Sequence, residues 1–227
     1  MLLATSLPPL SPIATMILIG AVLFWVAGYV MMVRRGFKDQ SYGLPISVLC
    51  VNIPWEFYYG FCADSSTLAK AVAIIYLVPD LLVLWTCLKY GPDDFDSSLM
   101  KRGYKAIAGA GMAVGMLAIW GMHVGFADEF GAITATFTTA LSVVMLLAMI
   151  LRRNNVRGQS FYIGLCLLLG NACGWNQTLQ AQESLQPNVP VLWVHVSYSI
   201  ILLTCIIYLA VYVHVCRRDG INPWTRW

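Results

Sequence analysis

The chain has 227 residues, of which 59% are hydrophobic and only 11% charged, and its mean hydropathy is +0.71. Soluble domains carry about 25% charged residues, so this composition excludes a soluble globular protein and points to an integral membrane protein. The net charge of +3 reads as a signature of membrane topology rather than a nucleic-acid patch, and no nucleic-acid partner is expected.

A bilayer crossing takes about 20 apolar residues. Seven such stretches follow one another, approximately Ala14 to Val33, Leu44 to Ala63, Ala69 to Tyr90, Tyr104 to Ala127, Ala132 to Leu151, Phe161 to Gln180 and Val191 to Cys216. The predicted fold class is therefore all-α, a bundle of seven transmembrane helices forming one domain over residues 1–227. The opening MLLATSLPPLSPIA has no basic residue while Arg34 and Arg35 follow the first stretch, which reads as a retained signal anchor. Placing helix ends on alternate sides puts thirteen of the fourteen basic residues on one face, leaving only Lys70 opposite. That bias predicts a cytoplasmic C-terminus and a lumenal N-terminus, and an even number of spans would scramble it. The basic face suits an anionic leaflet, so membrane lipid is an expected partner.

Within helix 2, in VNIPWEFYYGF, Glu56 sits where hydrocarbon should surround it. A carboxylate at that depth costs roughly 2.5 kcal/mol or more, so the expected form is the neutral acid and the expected role is functional. Asn52, four residues earlier, shares its face and can orient its proton, and Trp55 and Tyr59 flank that face. Asp80, behind Pro79 in IIYLVPDLLVLW of helix 3, falls at a similar depth. Two acids at one depth can divide acid and base roles; the alternative is a structural acid bonded to Asn, Tyr or Trp.

On helix 4, Trp120 and His123 lie towards the lumenal half; on helix 6, Asn171, Trp175, Asn176 and Gln177 carry too much hydrogen-bonding capacity to face lipid. Aromatic residues recur through the spans, among them Trp25, Tyr29, Tyr76 and Tyr198. Most serve packing and the interfacial belts; the rest can offer π faces to a cation. The candidate catalytic residues are thus Glu56 and Asp80. The candidate substrate-binding residues are Asn52, Trp55, Tyr59, Trp120, His123, Asn171 and Trp175.

Other motifs read as structural. Three histidines cannot supply opposed pairs for two haem ligations. Asp93-Asp94-Phe95-Asp96 has the composition of an acidic metal box but no second acidic cluster, so neither metal nor cofactor is expected. The seven cysteines lie in or at the ends of spans without a CxxC pair and read as buried apolar thiols. The sequon Asn176-Gln177-Thr178 falls in or at the end of a span rather than in a surface loop. RRGFKDQSYG before helix 2 is echoed by RRNNVRGQSFY before helix 6, which suggests two parallel three-helix repeats about a linking helix 4.

The run FWVAGYVMMVRRGFKDQSYGLPISVLCVNIPWEFYYGF resembles the opening half of the small seven-helix terpene cyclases of fungal meroterpenoid and indole-diterpene pathways, the paxilline-type membrane cyclases. The shared elements are a Tyr and a Met late in helix 1, a basic residue, F-x-[DE], Gln-Ser-Tyr-Gly in place of the family's similar Thr-Tyr-Gly, a Cys, an Asn and Trp-Glu followed by Tyr; the late RG-x-S-[FY] and closing arginine pair also agree. The resemblance implies a cofactor-free cyclisation of a prenylated aromatic, polyketide or indole compound, after a prenyltransferase and a flavin enzyme have built and epoxidised the chain. It implies that Glu56 protonates the epoxide and that the protein is a multi-pass protein of the endoplasmic reticulum. There is one departure: family members usually carry an aspartate in helix 7 near Thr204 or Cys205, and this helix has no acid. Two readings follow: Asp80 substitutes for it, or the cyclisation ends by a different termination step.

LPISVLCVNIPWEFYYG also resembles the Pro, Asn and Trp-x-x-Tyr-Gly pattern of small three-plus-one-plus-three sugar-efflux transporters, an alternative that the internal echo favours. A retinal protein is disfavoured because helix 7 has no lysine for a Schiff base.

Overall fold

The computed structural model describes residues 11–129, 131–185 and 190–227, and the side chains of 180–185 are outside that description. The described residues form α1 (Pro12–Asp39), α2 (Ile46–Phe57), α3 (Thr67–Tyr90), α4 (Ser98–Phe126), α5 (Ala132–Arg153), α6 (Phe161–Leu185) and α7 (Val191–Arg218). Five of them, α1, α3, α4, α5 and α7, are long and apolar enough to cross a membrane.

Local chemistry explains several boundaries. Ser11 caps α1 by accepting from the Ala14 N–H at 3.1 Å, with Pro12 in the first turn where its missing N–H costs nothing. Ser66 caps α3 in the same way through the Ala69 N–H at 3.2 Å. The polar segment GPDDFDSSLMKRGYK, which separates the third and fourth apolar stretches, is mostly helical: Gly91–Asp94 is a 3₁₀ turn and α4 already starts at Ser98. Apolar runs mark only the hydrocarbon part of a helix, whereas its hydrogen-bond ladder continues through Lys101, Arg102 and Lys105 into the polar zone.

The short helix α2 is the hinge of the arrangement. Pro54 lies inside it, and a proline N cannot bond the carbonyl four residues back, which frees the Cys50 carbonyl. Helix α4 meets that point with glycines: a Cβ on Gly115 would stand 1.7 Å from the Cys50 carbonyl oxygen. Only a residue without a side chain admits so close an approach, as small residues do at membrane helix contacts. Beyond Phe57 the helix widens into a single π turn, Tyr58–Cys62, a form that recurs at functional sites.

Helix α1 packs on α6 and α3, and α2 packs on α3, α4 and α5, while α7 packs on α5 and α6. Thus α1 leans on α3 more than on its chain neighbour α2, and α5 leans on α7 more than on α6. The same one-three-two order in both triplets is what a parallel repeat about α4 requires, and it matches the echo between the two arginine-rich segments. Those segments lie against each other at the basic end of the bundle. Asp39 accepts from the Gly158 N–H at 2.9 Å, from Arg226 at 2.7 Å and from Arg35. Arg157 Nη2 reaches the Gln40 carbonyl at 3.1 Å, and Gln159 Nε2 reaches the Gly43 carbonyl at 3.0 Å. Asp94, from the predicted acidic box, accepts from Arg153 at 2.6 Å and from the Tyr42 hydroxyl at 2.7 Å. Burial pushes the Tyr42 phenol well above its ordinary range, which keeps it a donor here.

Gly115→Ala should lower stability by about 1–3 kcal/mol, because the added methyl must separate α4 from α2. Gly109, on the same helix with open space around its Cβ position, provides the control: Gly109→Ala should be neutral or stabilising by up to about 1 kcal/mol. Thermal unfolding of both variants in detergent micelles measures the difference.

Candidate active site

Four helices bring polar side chains to one place inside the apolar bundle. From α2 come Asn52 and Glu56, one turn apart, 7% and 3% exposed; from α3 comes Asp80, fully buried. Tyr29 of α1 donates its hydroxyl to Asp80 Oδ2 at 3.2 Å and accepts from Asn52 Nδ2 at 3.3 Å. Ser142 of α5 donates to Asn52 Oδ1 at 3.5 Å. The amide that the sequence places one turn before Glu56 therefore bridges α1, α2 and α5.

Glu56 and Asp80 are neighbours in this interior, near enough for each carboxyl to act on the other. Among the described residues neither Glu56 Oε2 nor Asp80 Oδ1 receives a hydrogen bond from an N–H or hydroxyl group. An ionised carboxylate only accepts, so two neighbouring buried carboxyls need a proton on one of them. That proton leaves one acid able to donate beside one able to accept. Pro79, inside α3 next to Asp80, removes a ladder bond at this level, a feature found where backbone is buried in protein rather than facing lipid.

Aromatic rings continue from this pair away from the basic end. Trp25 lies 5.8 Å from Tyr29 between centroids, and Tyr29 lies 6.5 Å from Tyr76. On the far side Trp175 stacks parallel to Tyr198 at 6.4 Å and meets His195 edge-on at 5.6 Å. All but His195 belong to one packed core.

The other sequence candidates divide. Asn171 is buried at 2% exposure, beside Cys205 of α7. It is Cys205, and not the half-buried Thr204, that occupies the interior position where the acid of helix 7 was expected. Trp55, Tyr59 and His123 gather at a different joint, built on Asp128. That carboxylate caps α5 through the Thr134 N–H at 2.8 Å and the Ile133 N–H at 3.2 Å. Tyr59 donates to the Asp128 carbonyl at 2.9 Å and meets His123 Nδ1 at 3.3 Å, while the Trp55 indole donates to Thr134 at 2.9 Å. These three residues thus hold α2, α4 and α5 together and are not brought to the acids. Trp120 is 55% exposed and points away from the bundle, because α4 spends its small face, Gly111 and Gly115, on α2 and turns its bulky face outward.

Sequence reasoning missed Asp128 and the hydroxyl stripe of α5. Thr134, Thr138 and Ser142 recur every four residues and are all buried, a periodicity visible in ITATFTTALS. Two hollows open elsewhere: one of about 210 Å³ at the basic end, between Tyr42, Phe95, Tyr104 and Met149, and a groove of about 480 Å³ along Leu81, Trp85 and Lys105. Neither is lined by Glu56 or Asp80. Among the described residues no group of three metal-ligating side chains occurs.

Comparison with known proteins gives a consistent result. The sequence model of the Pyr4-like transmembrane terpene cyclases matches residues 5–218. Terpene cyclase andB of Emericella variicolor is 30% identical over 156 residues, covering 66% of this chain and 65% of the relative. Terpene cyclase penB of Penicillium crustosum is 31% identical over 172 residues, covering 71% of this chain and 68% of the relative. Terpene cyclase pyr4 of Aspergillus fumigatus is 29% identical over 181 residues, covering 75% and 73%. The matched part thus spans about two thirds to three quarters of these relatives. No solved structure matches the chain. The sugar-efflux alternative finds no support in these matches.

The acid pair makes a stability prediction independent of any substrate. Glu56→Gln keeps a donor facing Asp80 and should change stability by less than about 1 kcal/mol, whereas Glu56→Leu leaves Asp80 Oδ1 without a partner and should cost about 1–3 kcal/mol. Thermal unfolding in micelles, run on both variants side by side, checks the ordering.

Proposed function

This chain belongs to the Pyr4-like transmembrane terpene cyclases, and from that membership we propose that it protonates an epoxidised prenyl chain carried by an aromatic, polyketide or indole head and cyclises it without cofactor. The observation that carries the reading is the burial of Glu56 and Asp80 as neighbouring carboxyls inside an apolar, aromatic-walled interior. A carboxylic acid shielded from water keeps its proton at neutral pH, so the donor form is present where an ether oxygen can meet it, in a place that also keeps water from the cation.

In this reading Glu56 gives its proton to the epoxide oxygen as the C–O bond breaks, and internal alkenes attack in turn. Asp80, held by Tyr29 and Asn52, fixes the orientation of Glu56 and carries the remaining negative charge near the developing cation. Trp25, Tyr29 and Tyr76 present ring faces to that cation as it moves along the chain. Loss of a proton from the last cation ends the sequence and returns one proton to the pair, so the product is an isomer of the substrate. With no acid on α7, Asp80 is the second carboxyl that this chemistry uses.

The same proposal includes the topology: seven spans, a lumenal N-terminus and a cytoplasmic C-terminus, in the membrane of the endoplasmic reticulum. The basic end of the bundle, rich in arginine, supports that orientation. It also implies a pathway in which a prenyltransferase and a flavin-dependent epoxidase act first, because neither a prenyl chain nor an epoxide can arise from proton transfer alone.

Membranes bearing the protein, incubated with an epoxidised farnesyl-aromatic substrate and no added metal, should give a ring product of unchanged mass. Glu56→Gln should reduce that product by about 100-fold or more at similar protein levels, the loss expected for removing a general acid. Asp80→Asn should reduce it less severely. Full turnover by Glu56→Gln would remove Glu56 from the acid role.

A further inference from the structure

Two donors on α6 stand without a strong acceptor. Asn171 Nδ2 and Trp175 Nε1 are both buried from solvent, and neither has a hydrogen-bond partner by geometry among the described residues. The amide has the Cys205 thiol beside it, a weak acceptor at best. The two residues are four apart and so share one face of the helix, the face turned to α7, where Trp175 stacks on Tyr198. An unbonded N–H inside an apolar bundle is costly, and two together on one face are rarer still.

Their depth is fixed by the antiparallel contact of α6 with α1. The Cβ position of Gly28 lies 3.5 Å from Cys166 and that of Gly20 lies 3.6 Å from Cys173. Asn171 therefore stands level with a point between Gly20 and Gly28, about 10 Å along the bundle axis from Tyr29 and the acid pair, away from the basic end. Tyr76, one turn from Asp80 on α3 towards that same end, lies on the way, and the Tyr198 ring stacks on Trp175 itself. A substrate whose epoxide meets Glu56 and whose chain folds against those rings would bring its head group to Asn171 and Trp175.

We infer that Asn171 and Trp175 form the head-group site, and that the head group it takes is one that accepts hydrogen bonds: a carbonyl, lactone or phenolic oxygen on an aromatic or polyketide ring. Both residues offer donors at this point, and the Trp nitrogen cannot do otherwise. An indole head brings only a donor of its own and would leave both groups unsatisfied. The inference rests on the acid reading of Glu56 and narrows its substrate class to oxygenated heads. Asn171 and Trp175 are specificity residues in this scheme, without a part in proton transfer.

Two epoxides with the same prenyl chain test it, one on a hydroxylated aromatic ketone and one on indole. The native protein should favour the oxygenated substrate by on the order of 10-fold or more in kcat/KM. Trp175→Phe, which keeps the ring and loses the N–H, and Asn171→Leu should each raise KM for the oxygenated substrate about 5- to 10-fold with kcat little changed, and leave the indole substrate unaffected. Should Asn171→Leu fail to fold, Trp175→Phe alone decides. Equal turnover of both substrates by the native protein, or equal losses on both in the variants, overturns the head-group site; the latter result would mean that the two donors bond a buried water. No ring product from either substrate would instead overturn the acid reading.

Discussion

Two carboxyl groups meeting inside an apolar bundle set the terms for everything around them. Neighbouring buried carboxyls cannot both be charged without water or a counter-ion, and among the described residues no lysine or arginine pairs with either. One proton between Glu56 and Asp80 resolves the conflict, and the fold then has to hold the two side chains in register. Tyr29 and Asn52 do so from α1 and α2, with Ser142 tying Asn52 to α5. The chemistry proposed for the protein uses the same proton that makes the arrangement stable.

The basic end of the bundle meets the opposite problem with the opposite device. There the charges are numerous and acids are paired with arginines: Asp39 and Asp94 between them bond four arginine side chains and a backbone N–H. Gly158 is required at that junction, since its φ is +73° and a Cβ would stand 2.3 Å from the Tyr42 carbonyl oxygen. Because these ties link the segment after α1 to the segment after α5, they fix the two triplets of helices relative to each other. At the other end the Asp128 joint holds α2, α4 and α5, and Gln177 and Thr178 of α6 reach α1 and α7. The head-group site inferred on α6 lies towards that end.

The departure in helix 7 has a physical counterpart. Where an acid was expected, Cys205 faces the interior beside Asn171, and the nearest second carboxyl is supplied by α3. Moving a charge-bearing group from one wall of a cavity to another changes which carbon of a folded chain lies nearest to it. Product type is where that displacement would be felt.

The sequence by itself determined that this is a helical membrane protein, that the basic residues collect at one end, and that Glu56 and Asp80 are the acids to watch. Each follows from transfer cost: apolar runs of fixed length, and the expense of a carboxyl among them, are properties of the chain alone. Even the family resemblance was carried by one contiguous run, from Phe24 to Phe61. What only the tertiary structure decided was partnership. Helical spacing says which residues of one helix share a face, but not which face meets which neighbour; that depends on where two backbones can approach, as Gly115 and the carbonyl freed by Pro54 do. So Trp120 turned out to face outward, and Trp55, Tyr59 and His123 went to a structural joint at Asp128. Tyr29, one aromatic residue among many in the sequence, emerged as the group that holds Asp80 in place.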